Sequence, residues 1–287
     1  MSIQTIIRNV PLGTRLYCKV QSYATAGSNK RIINEVFDAD HPQAPLVARS
    51  ISSILNRPSQ EAGYWKKRIE LQRKSMLKNH GPLIDGSLGE GGLYDQNKTV
   101  SDACKVSKPP LAAMLLHALA YNLKPQNVLE LGTNVGVSSA YIASALHINN
   151  QDSCVTTLDA SAYRQQLAKQ LHQSIGLQCV DYVHGLFTDT LTRTLAQLQT
   201  VDMAFIDGHH QYQPTLDYFE QILPYATPFT LFVFDDIRWS DGMKKAWLEL
   251  REDQRFGLVV DLGMVGLCLL KHPQSDARFV SDIIQVF

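Results

Sequence analysis

Three short apolar runs in this chain each end in an acid. They are Val128-Leu-Glu130-Leu-Gly132-Thr-Asn134-Val-Gly136-Val-Ser138, Phe205-Ile-Asp207-Gly-His209-His210 and Phe232-Val-Phe-Asp235-Asp236. An apolar run, a glycine-containing turn and a small-residue helix start read as a buried strand passing into a helix. The loop between them is one that a ligand can approach closely, because Gly132 and Gly136 have no Cβ. A fourth run, Thr156-Thr-Leu-Asp159-Ala160-Ser, places a carboxylate where it can accept two adjacent hydroxyls. Carboxylates such as Asp207, Asp235 and Asp236 are oxygen donors suited to a hard divalent ion such as Mg²⁺. His209 and His210 titrate near neutral pH and are candidates to take a proton. Plainer readings stay open. Asp159 could close a turn or cap a helix. The Asp235-Asp236 pair could cap a helix, with Asp236 paired to Arg238 or Lys245. Either histidine could be a satisfied polar residue at a strand end.

The glycine spacing argues against one ligand class and leaves an NAD(P)-dependent oxidoreductase a distant alternative. The turn reads G-x-x-x-G and lacks the G-x-G-x-x-G turn that a dinucleotide diphosphate wants. Positioning the acids takes a sheet. Strand-like runs at 128–131, 155–158, 180–183, 203–206 and 231–234 alternate with helical stretches at 139–146, 163–174, 190–198, 214–222 and 244–250. This rhythm predicts a parallel sheet with helices on both faces. The runs at 258–260 and 265–270 are too close for a crossover helix and must pair antiparallel. The expected fold is therefore α/β and Rossmann-like. It has a seven-stranded, mostly parallel sheet ending in an antiparallel hairpin. Residues 1–105 lack the strand–helix rhythm. Apolar spacing predicts helices at 46–55 and 64–77. Asp85-Gly-Ser-Leu-Gly-Glu-Gly-Gly-Leu-Tyr94 is either a linker or a glycine-rich lid, with Tyr94 a candidate for substrate contact. The division expected is a helical extension over 1–105 and a ligand-binding domain over 106–287.

Composition narrows the classes further. Lys and Arg number 27 and Asp and Glu also 27, so no basic field advertises nucleic acid or an anionic membrane. No apolar run approaches the ~20 residues that span a bilayer, and the start of the chain lacks a secretory pattern. Five cysteines, at 18, 104, 154, 179 and 268, show no CxxC pairing, which fits reduced thiols in a cytoplasmic protein.

Taken in order, Val128-Leu-Glu-Leu-Gly-Thr-Asn-Val-Gly-Val-Ser-Ser, Thr157-Leu-Asp159 and Phe205-Ile-Asp-Gly-His-His resemble the successive motifs of class I S-adenosylmethionine (SAM) methyltransferases. Val100-Ser-Asp-Ala-Cys-Lys-Val-Ser-Lys-Pro-Pro110, Pro214-Thr-Leu-Asp-Tyr-Phe-Glu220 and Phe234-Asp-Asp-Ile-Arg-Trp-Ser240 are similar to a bacterial subgroup of largely unassigned substrate. The resemblance spans roughly residues 60 to 271. It implies SAM contacts at Glu130, Gly132, Asn134, Gly136, Ser138, Asp159, Ala160, Gly185, Phe187 and Asp207. The acidic ends also resemble those of metal-dependent sugar O-methyltransferases. That likeness implies metal ligands at Asp207, Asp235 and Asp236 and a base at His209, where that family has aspartate; His210 is the other candidate base. The implied activity is O-methylation of a small-molecule acceptor, with Mg²⁺ as the metal. The alternatives are a metal-independent methyltransferase acting on nitrogen or another acceptor, and a non-catalytic SAM-binding subunit. No nucleic-acid or membrane partner is expected, and the N-terminal helices are candidates for a homodimer interface.

Overall fold

The computed structural model describes residues 27–84, 98–149 and 152–286. The glycine-rich stretch 85–97, with Tyr94 and the lid expected there, lies outside the described residues, as does Cys18. After a helical stretch at 27–37 the order is α1 (Ala44–Ile54), α2 (Gln60–Met76), α3 (Val100–Lys105), α4 (Pro110–Leu123), β1 (Asn127–Leu131), α5 (Val137–Asn149), β2 (Cys154–Asp159), α6 (Ala162–Ser174), β3 (Val180–His184), α7 (Phe187–Leu198), β4 (Val201–Ile206), α8 (Tyr212–Ile222), β5 (Ala226–Phe234), α9 (Asp241–Glu252), β6 (Phe256–Asp261), β7 (Gly266–Leu270) and β8 (Phe279–Ile283).

The strands form one sheet in the order β3-β2-β1-β4-β5-β7-β6-β8. β3 to β5 are parallel; β7 runs antiparallel to both β5 and β6. The hairpin expected from the short 261–264 connection is thus present. The sheet has eight strands, one more than the sequence rhythm indicated. β8 joins parallel to β6 at the sheet edge. Asp282 and Ile283 of β8 are exposed, so the strand carries no continuous apolar run and gives little signal.

Alternate strand residues serve two cores. Val128, Met203, Phe205, Leu231 and Val233 face one side, with apolar residues of α1, α2, α4 and α5. Leu129, Leu131, Ala204, Ile206, Phe232 and Phe234 face the other, with residues of α7, α8 and α9. Covering both faces is what a parallel sheet of β-rich runs requires. The first core is continuous across residue 105: Ile32, Val36, Val47, Ile51, Trp65 and Ile69 are buried in the same cluster as Val128 and Phe205. α1 packs on α4, and α2 packs on α5.

Strand order reverses between β1 and β4, so a crevice opens beyond their carboxyl ends. Glu130, Asp159, Asp207, Asp235 and Asp236 lie at or just past those ends.

Candidate active site

The turn after β1 is built between its two neighbours. Gly132 N–H donates to the Leu158 carbonyl of β2 at 2.9 Å, and Asp207 N–H donates to the Leu131 carbonyl at 3.0 Å. Gly132 has φ +107°, and a Cβ there would stand 2.4 Å from the Asp207 carbonyl oxygen. Gly136 has φ +79°, and its Cβ would collide with Ala168 of α6. Both glycines are required by the protein's own packing. The atoms nearest their missing Cβ groups belong to the protein, and what the glycines permit is close packing of turn, strand and helix.

Asp159 organises the same turn. One carboxylate oxygen accepts the Asn134 N–H at 2.8 Å and the other accepts the Ser161 N–H at 2.8 Å. The Asn134 side-chain amide donates to the Ala103 carbonyl of α3 at 2.9 Å, tying the extension to the turn. Glu130 is fully buried. Thr157 donates to it at 2.6 Å, and Thr133 stands 2.7 Å from Thr157 Oγ1. Burial pushes the Glu130 carboxyl up to about 7, against the hydrogen bonds from Ser138 and Thr157. Just past β3, Gly185 N–H donates to the Asp159 carbonyl at 3.0 Å. Ala160 accepts from His184 at 3.2 Å. Phe187, the first residue of α7, lies edge-on to His209 at 5.8 Å between ring centres.

The acids beyond β4 and β5 face a cation from another part of the chain. The Lys108 ammonium, with a side chain 9% exposed, touches Asp235, which is 1% exposed. It also lies 3.4 Å from Asp236 and 3.7 Å from Asp207. His210 stands 3.6 Å from Asp207 and 3.9 Å from Asp236. Burial raises the Asp207 pKa above the ordinary carboxylate range, with Lys108 and His210 opposing. Among the described residues, Asp207, His210 and Asp236 form the one group whose donor atoms converge within 4.8 Å as a metal site would need. Asp235 is turned instead toward Lys108.

The two histidines diverge. His209 contacts the Tyr218 hydroxyl through Nδ1 and stacks on its ring, on the Phe187 side of the turn. Burial lowers its pKa, and His210 lowers it further. His210 is the one that faces the carboxylates. Asn134, His209, His210 and Asp236 all have positive φ, at 45°, 62°, 44° and 51°. Non-glycine residues held in that region store strain of ~1–3 kcal/mol each, and such residues cluster at functional sites.

Arg238, a sequence-level partner for Asp236, pairs instead with Asp261 at 2.7 and 2.8 Å. With Ile237 N–H on the Met264 carbonyl at 3.1 Å, this pins the acid turn to the β6–β7 hairpin. Lys245 lies over the Tyr212 ring at 4.1 Å. Trp247 is core, and Trp239 is 61% exposed beside the turn.

Lys108 and Arg73 are the residues that sequence reasoning missed. Arg73 of α2, 9% exposed, donates to the Lys108 carbonyl at 2.6 Å and to the Ser107 carbonyl at 3.1 Å. A signal for Lys108 did exist. It precedes Pro109-Pro110, which holds it off the helix and extended, within a motif already singled out.

Residues 129–237 match the family model described as "Methyltransferase domain". A curated relative from Mycobacterium sp. (strain JLS), named "Putative O-methyltransferase", is 34% identical over 107 residues, which are 37% of this chain and 46% of that protein. The chain thus spans less than half the length of that relative. Among solved structures, the O-methyltransferase from Bacillus cereus in complex with SAH aligns with a TM-score of 0.51 and 20% identity, covering 76% of this chain and 94% of its own. The SAH-bound Podospora anserina methyltransferase PaMTH1 aligns with a TM-score of 0.51 and 17% identity, covering 59% and 82%. These structural likenesses are of fold. Residues 129–237 are thus similar to a methyltransferase domain, and the sheet around them has the fold of these solved methyltransferases.

Proposed function

We propose that the protein transfers the methyl group of SAM to a hydroxyl of a small molecule. The observation that carries this reading is the convergence of the β1, β2 and β4 ends. The Gly132 turn bonds to β2, lies against Asp207 and is held by Asp159. The methyltransferase family match over those strands supports it. Asp159 is assigned to the ribose hydroxyls, because it ends β2 beside the Gly132 turn and a carboxylate there accepts charge-assisted hydrogen bonds. Glu130 and Asp207 line the sulfonium side. His210 takes the acceptor's proton, the oxygen bonds to the methyl carbon, and the carbon–sulfur bond breaks to release S-adenosylhomocysteine (SAH). Holding acceptor, methyl and sulfur in line supplies much of the acceleration.

The resemblance implies Mg²⁺ at Asp207, Asp235 and Asp236. The donor chemistry fits an oxygen-loving ion, but the surroundings do not. Lys108 already puts a positive charge against Asp235 and within 3.7 Å of the other two. An ion added there would sit beside a like charge. No step is therefore routed through a metal.

Calorimetry with SAM and with SAH tests the reading. Micromolar binding of both is expected, about −8 kcal/mol. Transfer of label from methyl-labelled SAM to a panel of small hydroxyl compounds tests the reaction. Absence of binding by either nucleoside would refute the assignment.

A further inference from the structure

We propose that the ammonium of Lys108 is the resident cation of this acidic cleft, standing where the resemblance puts a divalent metal and balancing Asp207, Asp235 and Asp236 in its place. The inference deepens the reading of the same site, and rests on that reading for its catalytic consequence.

Its geometry is that of a fixed charge. Nζ touches the most buried of the three acids and lies 3.4 and 3.7 Å from the other two. The backbone that carries it is clamped from the extension, where Arg73 donates to the Ser107 and Lys108 carbonyls. Just beyond it, Pro109 and Pro110 restrict the chain and α4 begins. Swinging the side chain out would leave Asp235, 1% exposed, without its partner, and an uncompensated buried charge is strongly unfavourable.

The neighbouring cations have other partners. Lys105 pairs with Asp102, Lys244 with Asp241 and Arg238 with Asp261, while Lys245 lies over Tyr212. Among the described residues, the Lys or Arg ion-paired with this cluster is Lys108, and His210 stands within 3.9 Å of Asp207 and Asp236. A lysine so placed opposes a second cation at Asp207 and Asp236 by like-charge repulsion. The extension then contributes to the site through Lys108 and through the Arg73 that positions it.

The test is a titration of the full-length protein with Mn²⁺, followed by electron paramagnetic resonance, beside calorimetry with SAH. Lys108→Met should bind Mn²⁺ at least about 10-fold more tightly than the wild type, because it frees the carboxylates from a charge in contact. Lys108→Arg, which keeps the charge, should behave as the wild type. Mn²⁺ should raise the melting temperature of Lys108→Met and leave that of the wild type unmoved. If the methionine variant does not fold, Lys108→Gln takes its place in the same comparison. Equal Mn²⁺ affinity in wild type and charge-removed variant, at any level, overturns the proposal, as does tighter binding by the wild type. Loss of SAH binding by the wild type would instead strike the methyl-transfer reading and leave the Mn²⁺ comparison standing.

Discussion

Asp159 does two things with one carboxylate. It fixes the turn after β1 through the Asn134 and Ser161 amides, and in the proposed reaction it also receives the ribose. Asp159→Asn separates these roles better than alanine, because it keeps one acceptor oxygen while losing the charge. SAH affinity should fall by roughly 1–3 kcal/mol, the scale of lost charge-assisted hydrogen bonds. Calorimetry measures it, and an affinity equal to wild type would remove the ribose role. The acids at the strand ends were legible as positions one by one, since a charged residue closing an apolar run stands out from it, although each also admitted a turn or cap reading. Which histidine faces them was not. Both 209 and 210 adopt left-handed backbone, so the chain turns His209 to Tyr218 and His210 to Asp207, and no spacing rule carries that information. Lys108 was harder still, because its partners lie far downstream and meet it only after the sheet has formed.

At the scale of elements, the parallel strands were legible because buried strands need unbroken apolar runs. β8, half-exposed at an edge, was not. Neither was α3, a six-residue helix whose signal is local: Thr99 and Asp102 close a capping box on each other. α3 matters beyond its length, since its Ala103 carbonyl anchors Asn134 and its end leads to Lys108. α2 then fastens that end through Arg73, which also lies 3.5 Å from Glu70, itself the acceptor of the Tyr141 hydroxyl. Replacing Arg73 with methionine strips one buried and one part-buried carbonyl of a charged donor, each bond worth about 1.5–3 kcal/mol. A loss of about 3 kcal/mol in urea denaturation is expected for Arg73→Met. A smaller loss is expected for Arg73→Lys, which can reach one carbonyl but not both. A loss under about 0.5 kcal/mol for the methionine variant, the range of ordinary surface changes, would show that the clamp carries no weight.

Across the whole molecule the formal charge is zero, so the pH dependence of stability should follow particular buried groups rather than a net field. His117 and His172 are both held at about 4 by burial. His172 Nε2 donates to the Gly136 carbonyl at 2.8 Å, which fixes its neutral tautomer. Their unfolded value is near 6.5. Between about 4 and 6.5 the unfolded chain therefore binds the extra protons, and stability rises with pH by about 3 kcal/mol per histidine. Glu130 works in the opposite sense. Its folded pKa of about 7 exceeds an unfolded value near 4.5, so between those limits the native state holds the extra proton and stability falls with rising pH. That fall is also about 3 kcal/mol. Taken together, these three groups contribute a net gain from pH 4 to 6.5, followed by a shallow decline to about 7. Glu130→Gln deletes this opposing group, so its stability should climb more steeply than that of the wild type between pH 5 and 6.5 and decline less beyond it. Urea denaturation of both proteins at half-unit steps from pH 4.5 to 7.5 reads the difference directly. Parallel curves would mean that Glu130 does not exchange its proton in this window, and that the acid at the tip of β1 meets the sulfonium already ionised.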